Sequence, residues 1–551
     1  MRSGQCFVCP LGPLISWDSN DRPSFERCGV LTVKQLSTMA LPALMVLAAL
    51  VYVASLSPSV GHSIDDGIHI VAAKALATGH GLRMISDPGA PPATQFPPGQ
   101  SLFLTPVFWF FPDSPANTIP LQLVSTFFAL CFVGLSWLWF RRHFDVSTAL
   151  FLTALVAFNP ETVRFSSAVI AEMGYAAFSM TTLLLFDRAF PNESSQPLRW
   201  GLLLATVAAM TCAYLFRSVG LGLVFAVPCA LALRQRWGAA AVALGAFLVL
   251  AAPWLFQSAL VGTPEYRDQF WLANLESPEL GKIGLTGLSD RIGQNAINYL
   301  FVTIPDHLFS FLGSQRVIHY LDSTGLNPVL VLARIGVSTL LFIGLWRRLR
   351  SGVRMVDLYL VVYGAMLLVW HARLQWKYMA PITPILLYYF YPGLTWALAR
   401  ASWQSATVKR VGYAIFTLVL VGYGLRIRDS IENGWLSSDA EDPFAPAYGW
   451  IKQETPENSL IISFDHLGLF LYTGRKSVAP LMSHNAQRVL DYTLKTGADY
   501  FVVQPTRVSN DVPTLDDQYQ RPAVTLFPER FSRVYADSIH QIVVYRINRT
   551  L

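Results

Sequence analysis

Two adjacent carboxylates, Asp65 and Asp66, stand in the stretch Ser63-Ile-Asp-Asp-Gly-Ile-His69, just beyond the first apolar run of the chain. A carboxylate within hydrogen-bond reach of a hydroxyl can take its proton as a general base. Two side by side can also recruit a hard cation such as Mg2+ or Mn2+. A structural role is equally open. Ser63 with Asp66 matches the S/T-x-x-D/E capping signature, and the helix dipole favours acids at an N-terminus. Capping accounts for one acid only, because adjacent acids repel and one cap site takes one of them. Downstream, Ile68, Val71, Ala72, Ala75 and Leu76 recur at helical spacing, which predicts a short amphipathic helix over 67–78 closed by Gly79.

Three further groups carry charge where charge is costly. Glu172 lies inside an apolar run, about two turns into a predicted span, and an ionisable residue there is a functional candidate by default. Arg217 stands alone between two apolar runs, placed either to meet an anion or to reach lipid headgroups along its own stem. Arg373 and Lys377 lie in His371-Ala-Arg-Leu-Gln-Trp-Lys-Tyr378 at the start of a late apolar run, where a phosphate would offset them through charge-assisted hydrogen bonds.

The elements that position these groups belong to a polytopic α-helical membrane protein. Of 551 residues 53% are hydrophobic and 14% charged, with mean hydropathy +0.40; an ordinary soluble domain has roughly a quarter charged. Apolar runs near the ~20 residues that span a bilayer as helix fall at 37–57, 117–140, 147–163, 166–190, 199–216, 218–234, 238–257, 327–347, 355–371, 377–399 and 408–426. Arg141 with Arg142, Arg188, Arg234 with Arg236, Arg347 to Arg354, and Lys409 with Arg410 fall at alternate connections. That pattern places these connections and the N-terminus in the cytoplasm, and it argues topology rather than nucleic-acid binding. The apolar stretch 99–112 is short and interrupted by Pro106, so it is predicted to lie in or dip into the outer face.

Three pieces are then extracytoplasmic: loop 58–116, loop 258–326 and a segment from 429 to 551. In the last, strand-like runs at 460–464, 500–503, 523–527 and 541–546 alternate with helix candidates near 444–453 and 483–496, predicting a small α/β domain. Residues 1–36 are polar and aperiodic, predicting a disordered cytoplasmic tail ahead of a membrane domain over 37–428. The six cysteines imply no disulfide framework, and Cys6-Phe-Val-Cys9 lacks the second pair of a zinc site.

Loop 58–116 resembles the first extracytoplasmic loop of the GT-C superfamily of membrane glycosyltransferases. That pattern is an acid pair, an aromatic four residues on, a small residue eight on, a glycine at the helix end and a Pro-Pro turn into an interfacial helix. Here it reads Asp65-Asp66, His69, Ala73, Gly79 and Pro97-Pro98-Gly99, with His69 in place of the usual tyrosine. Asn159-Pro160 followed by Ser166 to Glu172, the stretch 373–384, and Trp450 to Lys476 continue the likeness, most closely to the bacterial families that take sugars from polyprenyl phosphate. Residues 258–326 match nothing in the pattern.

The resemblance implies an inverting transfer of a hexose or pentose from polyprenyl phosphate to a lipid, glycan or protein acceptor, on the extracytoplasmic face of the inner membrane. It implies about 11–13 membrane helices. Asp65 would be the base, and Asp66 and Glu172 would position acceptor or metal. Arg373, Lys377 and Arg217 would bind the donor phosphate, with His69, Pro97 and Pro98 in the donor and acceptor loop. The superfamily includes both metal-dependent and metal-independent members, so Mg2+ or Mn2+ on Asp65 and Asp66 stays open. A transporter or flippase of lipid-linked saccharide is the rival reading, although no repeat between halves marks one. An inactive relative that binds glycan is a third.

Overall fold

Each apolar run coincides with a helix or a helix pair in the computed structural model, which describes residues 33–190, 198–261, 269–273, 280–370, 376–400, 405–432, 442–506 and 514–549. The chain opens with α1 (Val33–Ala54), α2 (Ile64–Ala77), α3 (Gly99–Phe110) and α4 (Thr118–Phe140). It continues through α5 (Val146–Ala157), α6 (Pro160–Ser167), α7 (Glu172–Ala189), α8 (Trp200–Phe216), α9 (Leu221–Leu233) and α10 (Trp237–Val261). Short helices α11 (Leu285–Asn298), α12 (Ile304–Leu308) and α13 (Gln315–Ser323) lead to α14 (Asn327–Leu349), α15 (Met355–Val369), α16 (Thr383–Arg400) and α17 (Ser405–Glu432). Of the tail expected over 1–36, residues 1–32 lie outside the described ones, and α1 begins at Val33.

Among the described residues four helices are long and apolar enough to cross a bilayer, and α5 with α6 makes a fifth if that pair, bent by 54°, is one span. Asn159 causes the bend: it caps α6 by accepting from the Glu161 amide, with Pro160 in the first turn. The predicted span 166–190 is broken as well. Backbone at Ala168 turns extended and α7 starts at Glu172, so Glu172 is the first residue of its helix rather than two turns inside it. Helix α3 has twelve residues, about 18 Å of rise against a ~30 Å hydrocarbon core.

The helices pack around one large core from α1 to α17, with Trp139, Tyr175, Tyr359 and Tyr363 among its fully buried side chains. Where α14 crosses α16, a Cβ on Gly344 would sit 1.7 Å from the Tyr389 carbonyl oxygen and one on Gly393 1.8 Å from that of Leu340. Only paired glycines allow so close a backbone approach, as at small-residue crossings of membrane helices. On the outer surface Leu248, Val249, Phe256 and Leu260 of α10 are exposed, an arrangement that suits hydrocarbon rather than water.

The C-terminal residues form a mixed sheet of β1 (Leu460–Ile462), β2 (Lys476–Val478), β3 (Tyr500–Val503), β4 (Phe531–Asp537) and β5 (Ile542–Ile547), in the order β2-β1-β3-β5-β4. Strand β1 runs parallel to β2 and β3, and β5 runs antiparallel to β3 and β4. Helices α18 (Ala445–Glu454), α19 (His466–Thr473), α20 (Ala486–Thr496) and α21 (Arg521–Leu526) accompany it. The strand expected at 523–527 is therefore helix: Pro522 sits in its first turn, where its fixed φ suits a helix and it has no N–H to give a sheet. Strand β4 has no strand signal in the sequence, being an edge strand with mostly exposed positions and little apolar alternation.

Candidate active site

The two acids take separate places. Asp66 is the third residue of α2 and closes a capping box with Ser63. Its Oδ1 accepts from the amides of Ser63 (2.9 Å) and Gly67 (2.8 Å) and from the Ser63 hydroxyl (2.7 Å), while Oδ2 accepts from the Gly61 amide (2.8 Å). Burial raises its carboxyl above the usual range against these donors. Asp65, one residue earlier, faces elsewhere. Its Oδ2 accepts from Lys377 Nζ at 2.8 Å, across 312 residues of sequence. Burial opposes its charge, but Lys377 and then Arg217 outweigh it and hold the carboxyl below the usual range.

Asp65 borders a cavity of about 120 Å³ together with His69, Phe96, Pro97, Arg217 and Tyr378. His69 lies one helical turn beyond Asp65 on the same face. Its ring is buried, 5.3 Å from that of Phe96, and burial lowers its pKa to about 4. Arg217 follows the last turn of α8 in extended conformation, which carries its side chain out of the helix line. Its guanidinium is 5.7 Å from the Tyr378 ring and pairs with the buried carboxylate of Glu172. Glu172 itself is 1% exposed and does not line the cavity, and its Oε2 has no hydrogen-bond partner among the described residues. Pro98 caps α3 beside Pro97 and is outside the lining. Arg373 lies outside the described residues.

Three further elements support this site. Asn295, in the stretch 258–326, donates from Nδ2 to the carbonyls of Leu368 (2.9 Å) and Trp370 (2.7 Å), fixing the end of α15 that brings Met366, Leu367 and Trp370 to the cavity. Helix α19 packs on α2, with Leu467, Phe470 and Leu471 buried against Ile68, Ile70 and Val71. A Cβ on Gly67 would sit 2.6 Å from Leu467 Cβ, which explains the glycine directly after the acids. Finally, His62 Nδ1 lies 2.6 Å from Asp465 and Nε2 3.5 Å from Asp442. Asp465 also accepts from the Tyr448 hydroxyl. Burial disfavours charge on His62, yet the two carboxylates raise its pKa to about 10. None of these pairings has a local sequence signal, although Gly61 and Gly67 flanking the acids mark a close approach.

As a donor set for a shared cation the acid pair fits poorly. Asp66 directs both oxygens to four donors, and among the described residues no three His, Cys, Asp or Glu side chains converge. What the geometry offers is an ionised carboxylate and the Arg217 guanidinium on one partly apolar cavity, with the Lys377 ammonium held against that carboxylate. That arrangement can accept a proton and hold an anion at neighbouring points.

No family model and no curated protein matches the chain. Solved structures do. ArnT from Cupriavidus metallidurans bound to undecaprenyl phosphate aligns over 92% of this chain and 98% of its own, with 15% identity and a TM-score of 0.58. Its apo state aligns over 93% and 98%, with 16% identity and a TM-score of 0.56. The archaeal oligosaccharyltransferase AglB from Archaeoglobus fulgidus, in complex with an inhibitory peptide and a dolichol-phosphate, aligns over 93% and 75%, with 13% identity and a TM-score of 0.55. The chain thus shares the overall helical fold of these proteins. At such identities the likeness is one of architecture.

Proposed function

We propose that this protein is an integral-membrane inverting glycosyltransferase that moves a sugar from polyprenyl phosphate to an acceptor hydroxyl. The observation that carries the reading is the Asp65–Lys377 pair at the cavity edge, with Arg217 on the same cavity. Support comes from the fold shared with proteins whose solved structures hold undecaprenyl phosphate and dolichol-phosphate.

The acceptor oxygen attacks the anomeric carbon as the bond from that carbon to the phosphate oxygen breaks. The electron pair leaves on the phosphate, and the hydroxyl proton passes to Asp65. Lys377 and Arg217 stabilise the negative charge that develops on the departing phosphate, with Arg373 assigned the same work from its place in the sequence. A carboxylate held by a lysine is a weak base. When the donor phosphate arrives it competes for the Lys377 ammonium, so Asp65 is released and its basicity rises where the acceptor hydroxyl must sit. Glu172 fixes Arg217, Asp66 fixes the start of α2, and His69 with Phe96 and Pro97 shapes the wall. No step is routed through Mg2+ or Mn2+.

In this reading the eleven apolar segments lie in the cell's inner membrane as part of a set of about 11–13 helices. Loops 58–116 and 258–326 and the C-terminal unit 429–551 lie on the extracytoplasmic face, and the N-terminus is cytoplasmic. The acceptor is a lipid, glycan or protein met by the 258–326 segment, which reaches the cavity wall through Asn295.

The test is donor turnover by purified protein against a panel of polyprenyl-phosphate sugars, with membrane lipid and glycan as the acceptor pool. Free polyprenyl phosphate released by wild type and lost in Asp65→Asn supports the reading. Donor that crosses the bilayer intact would instead make the protein a flippase.

A further inference from the structure

Helix α7, with the residue that caps its start, and helix α15 each run between two cavities. Ala171, the N-cap of α7, and Asp187 near its far end are sixteen residues apart, about 24 Å of helical rise; the first lines the cavity beside Asp65 and the second lines another. On α15, Leu367 lines the first and Met355 the second. The second cavity, about 470 Å³, therefore lies at the opposite end of the bundle from Asp65.

Five helix ends bring charge to it. Arg142 follows α4, Arg234 follows α9, Arg348 lies in the last turn of α14 and Arg354 precedes α15, while Asp187 near the end of α7 is the one carboxylate among its described lining residues. Four guanidinium groups thus face one acid. Asp187 lies 3.9 Å from Arg142. The other three rest on aromatic rings or a hydroxyl: Arg234 is 5.6 Å from the ring centres of Phe186 and Phe190, Arg348 is 4.5 Å from that of Tyr388, and Arg354 donates to the Tyr388 hydroxyl at 3.1 Å. Arg348 Nε is buried with no hydrogen-bond partner among the described residues.

Helix dipoles account for part of this. Cations are favoured at C-terminal ends, where Arg142, Arg234 and Arg348 stand, but Arg354 occupies the N-cap of α15, the end that favours anions. The excess positive field shows on its neighbour His143, where burial and then Arg348, Arg354 and Arg142 lower the pKa to about 4. A tetrahedral phosphate, with oxygens to spare for several guanidinium forks, is the anion such a cradle suits. Beside Arg234, Leu233 and Trp237 are 63% and 64% exposed. Apolar and indole surface next to a basic pocket marks a membrane interface.

We propose that this second cavity binds the phosphate group of an anionic membrane lipid, on the face opposite the Asp65 site. The inference is independent of the reaction assigned to Asp65. It converts arginines that read in the sequence as topology markers into one binding site.

The experiment uses full-length protein in nanodiscs of phosphatidylcholine containing a minor fraction of phosphatidylglycerol, followed by native mass spectrometry of the lipids retained. Wild type should hold phosphatidylglycerol in preference to phosphatidylcholine by at least about tenfold, the scale of one charged hydrogen bond. Arg348→Gln with Arg354→Gln should abolish that preference, and the corresponding double lysine variant should keep part of it. Should the glutamine pair not fold, Arg234→Gln alone should still reduce the preference. Inorganic phosphate added to wild type separates the sources. Displacement of the lipid only at high phosphate supports a headgroup site. Tight phosphate binding without lipid preference would reassign the cavity to a soluble phosphate and overturn the lipid. Equal retention of the two lipids, or a preference unchanged in every arginine variant, would overturn the site itself.

Discussion

Replacing Lys377 by methionine keeps most of the side chain's stem while deleting its charge, and it tests both roles given to that lysine. The ammonium lies 2.8 Å from Asp65, with the two side chains 24% and 29% exposed. A charged hydrogen bond contributes about 1.5–3 kcal/mol, and partial exposure argues for the lower part of that range, about 1.5–2 kcal/mol. If the same interaction is transferred to the departing phosphate, kcat/KM falls by about 10- to 30-fold. A second effect follows with opposite consequence for the base. Lys377 is the largest favourable influence holding the Asp65 carboxyl low, so its removal moves the acid limb of the pH profile to higher pH. The assay is release of free polyprenyl phosphate by purified protein in micelles, wild type against Lys377→Met, from acid to mildly alkaline pH. A kcat/KM within twofold of wild type together with an unmoved acid limb would refute the reasoning.

Three more outcomes follow from the geometry. Asp66→Asn should lower stability by about 1–3 kcal/mol, since capping and backbone donors lose their carboxylate, while turnover per folded molecule stays within tenfold; thermal unfolding and donor turnover on one preparation check it. Glu172→Gln should cost about tenfold in kcat/KM by loosening the hold on Arg217, with an acid limb still present; loss of the limb would give Glu172 the base's role. The His62 contacts should be pH-sensitive. Its folded pKa is raised from 6.5 to about 10, so the stabilisation from Asp465 and Asp442 is complete below 6.5 and is lost as pH rises through 10. Hydrogen exchange in α19 should accelerate across that window beyond the intrinsic rate, and His62→Gln should remove the pH dependence.

Much of the site could be read from local spacing. Asp65 and His69 share a helix face, Ser63 with Asp66 spells a cap, and Pro97-Pro98-Gly99 opens α3. The two acids part geometrically, Asp66 into the capping box and Asp65 toward Lys377, because successive residues on a helix point about 100° apart. What spacing could not show is partnership. Lys377 meets Asp65 across 312 residues, and Glu172 meets Arg217 because a break at 168–171 starts α7 at the acid. Hydropathy marked the apolar runs but not that break, since Ala168, Val169 and Ile170 are as apolar inside a turn as inside a helix. In the C-terminal unit β1, β3 and β5 are legible from their apolar runs, whereas three-residue β2 and the largely exposed β4 are not. Arg142, Arg234, Arg348 and Arg354 had a sufficient reason in topology, and only the packing of five helix ends brings them to one cavity.

The most direct measurement is a structure of the Asp65→Asn protein with a polyprenyl-phosphate-linked sugar bound, the substitution slowing turnover while leaving the cavity its shape. The expected result is phosphate density within hydrogen-bond reach of Lys377 Nζ and Arg217, with the anomeric carbon turned toward position 65. Phosphate at the Arg348 end of the bundle instead, or a donor whose anomeric carbon faces away from position 65, would contradict the assignment of Asp65 as the base.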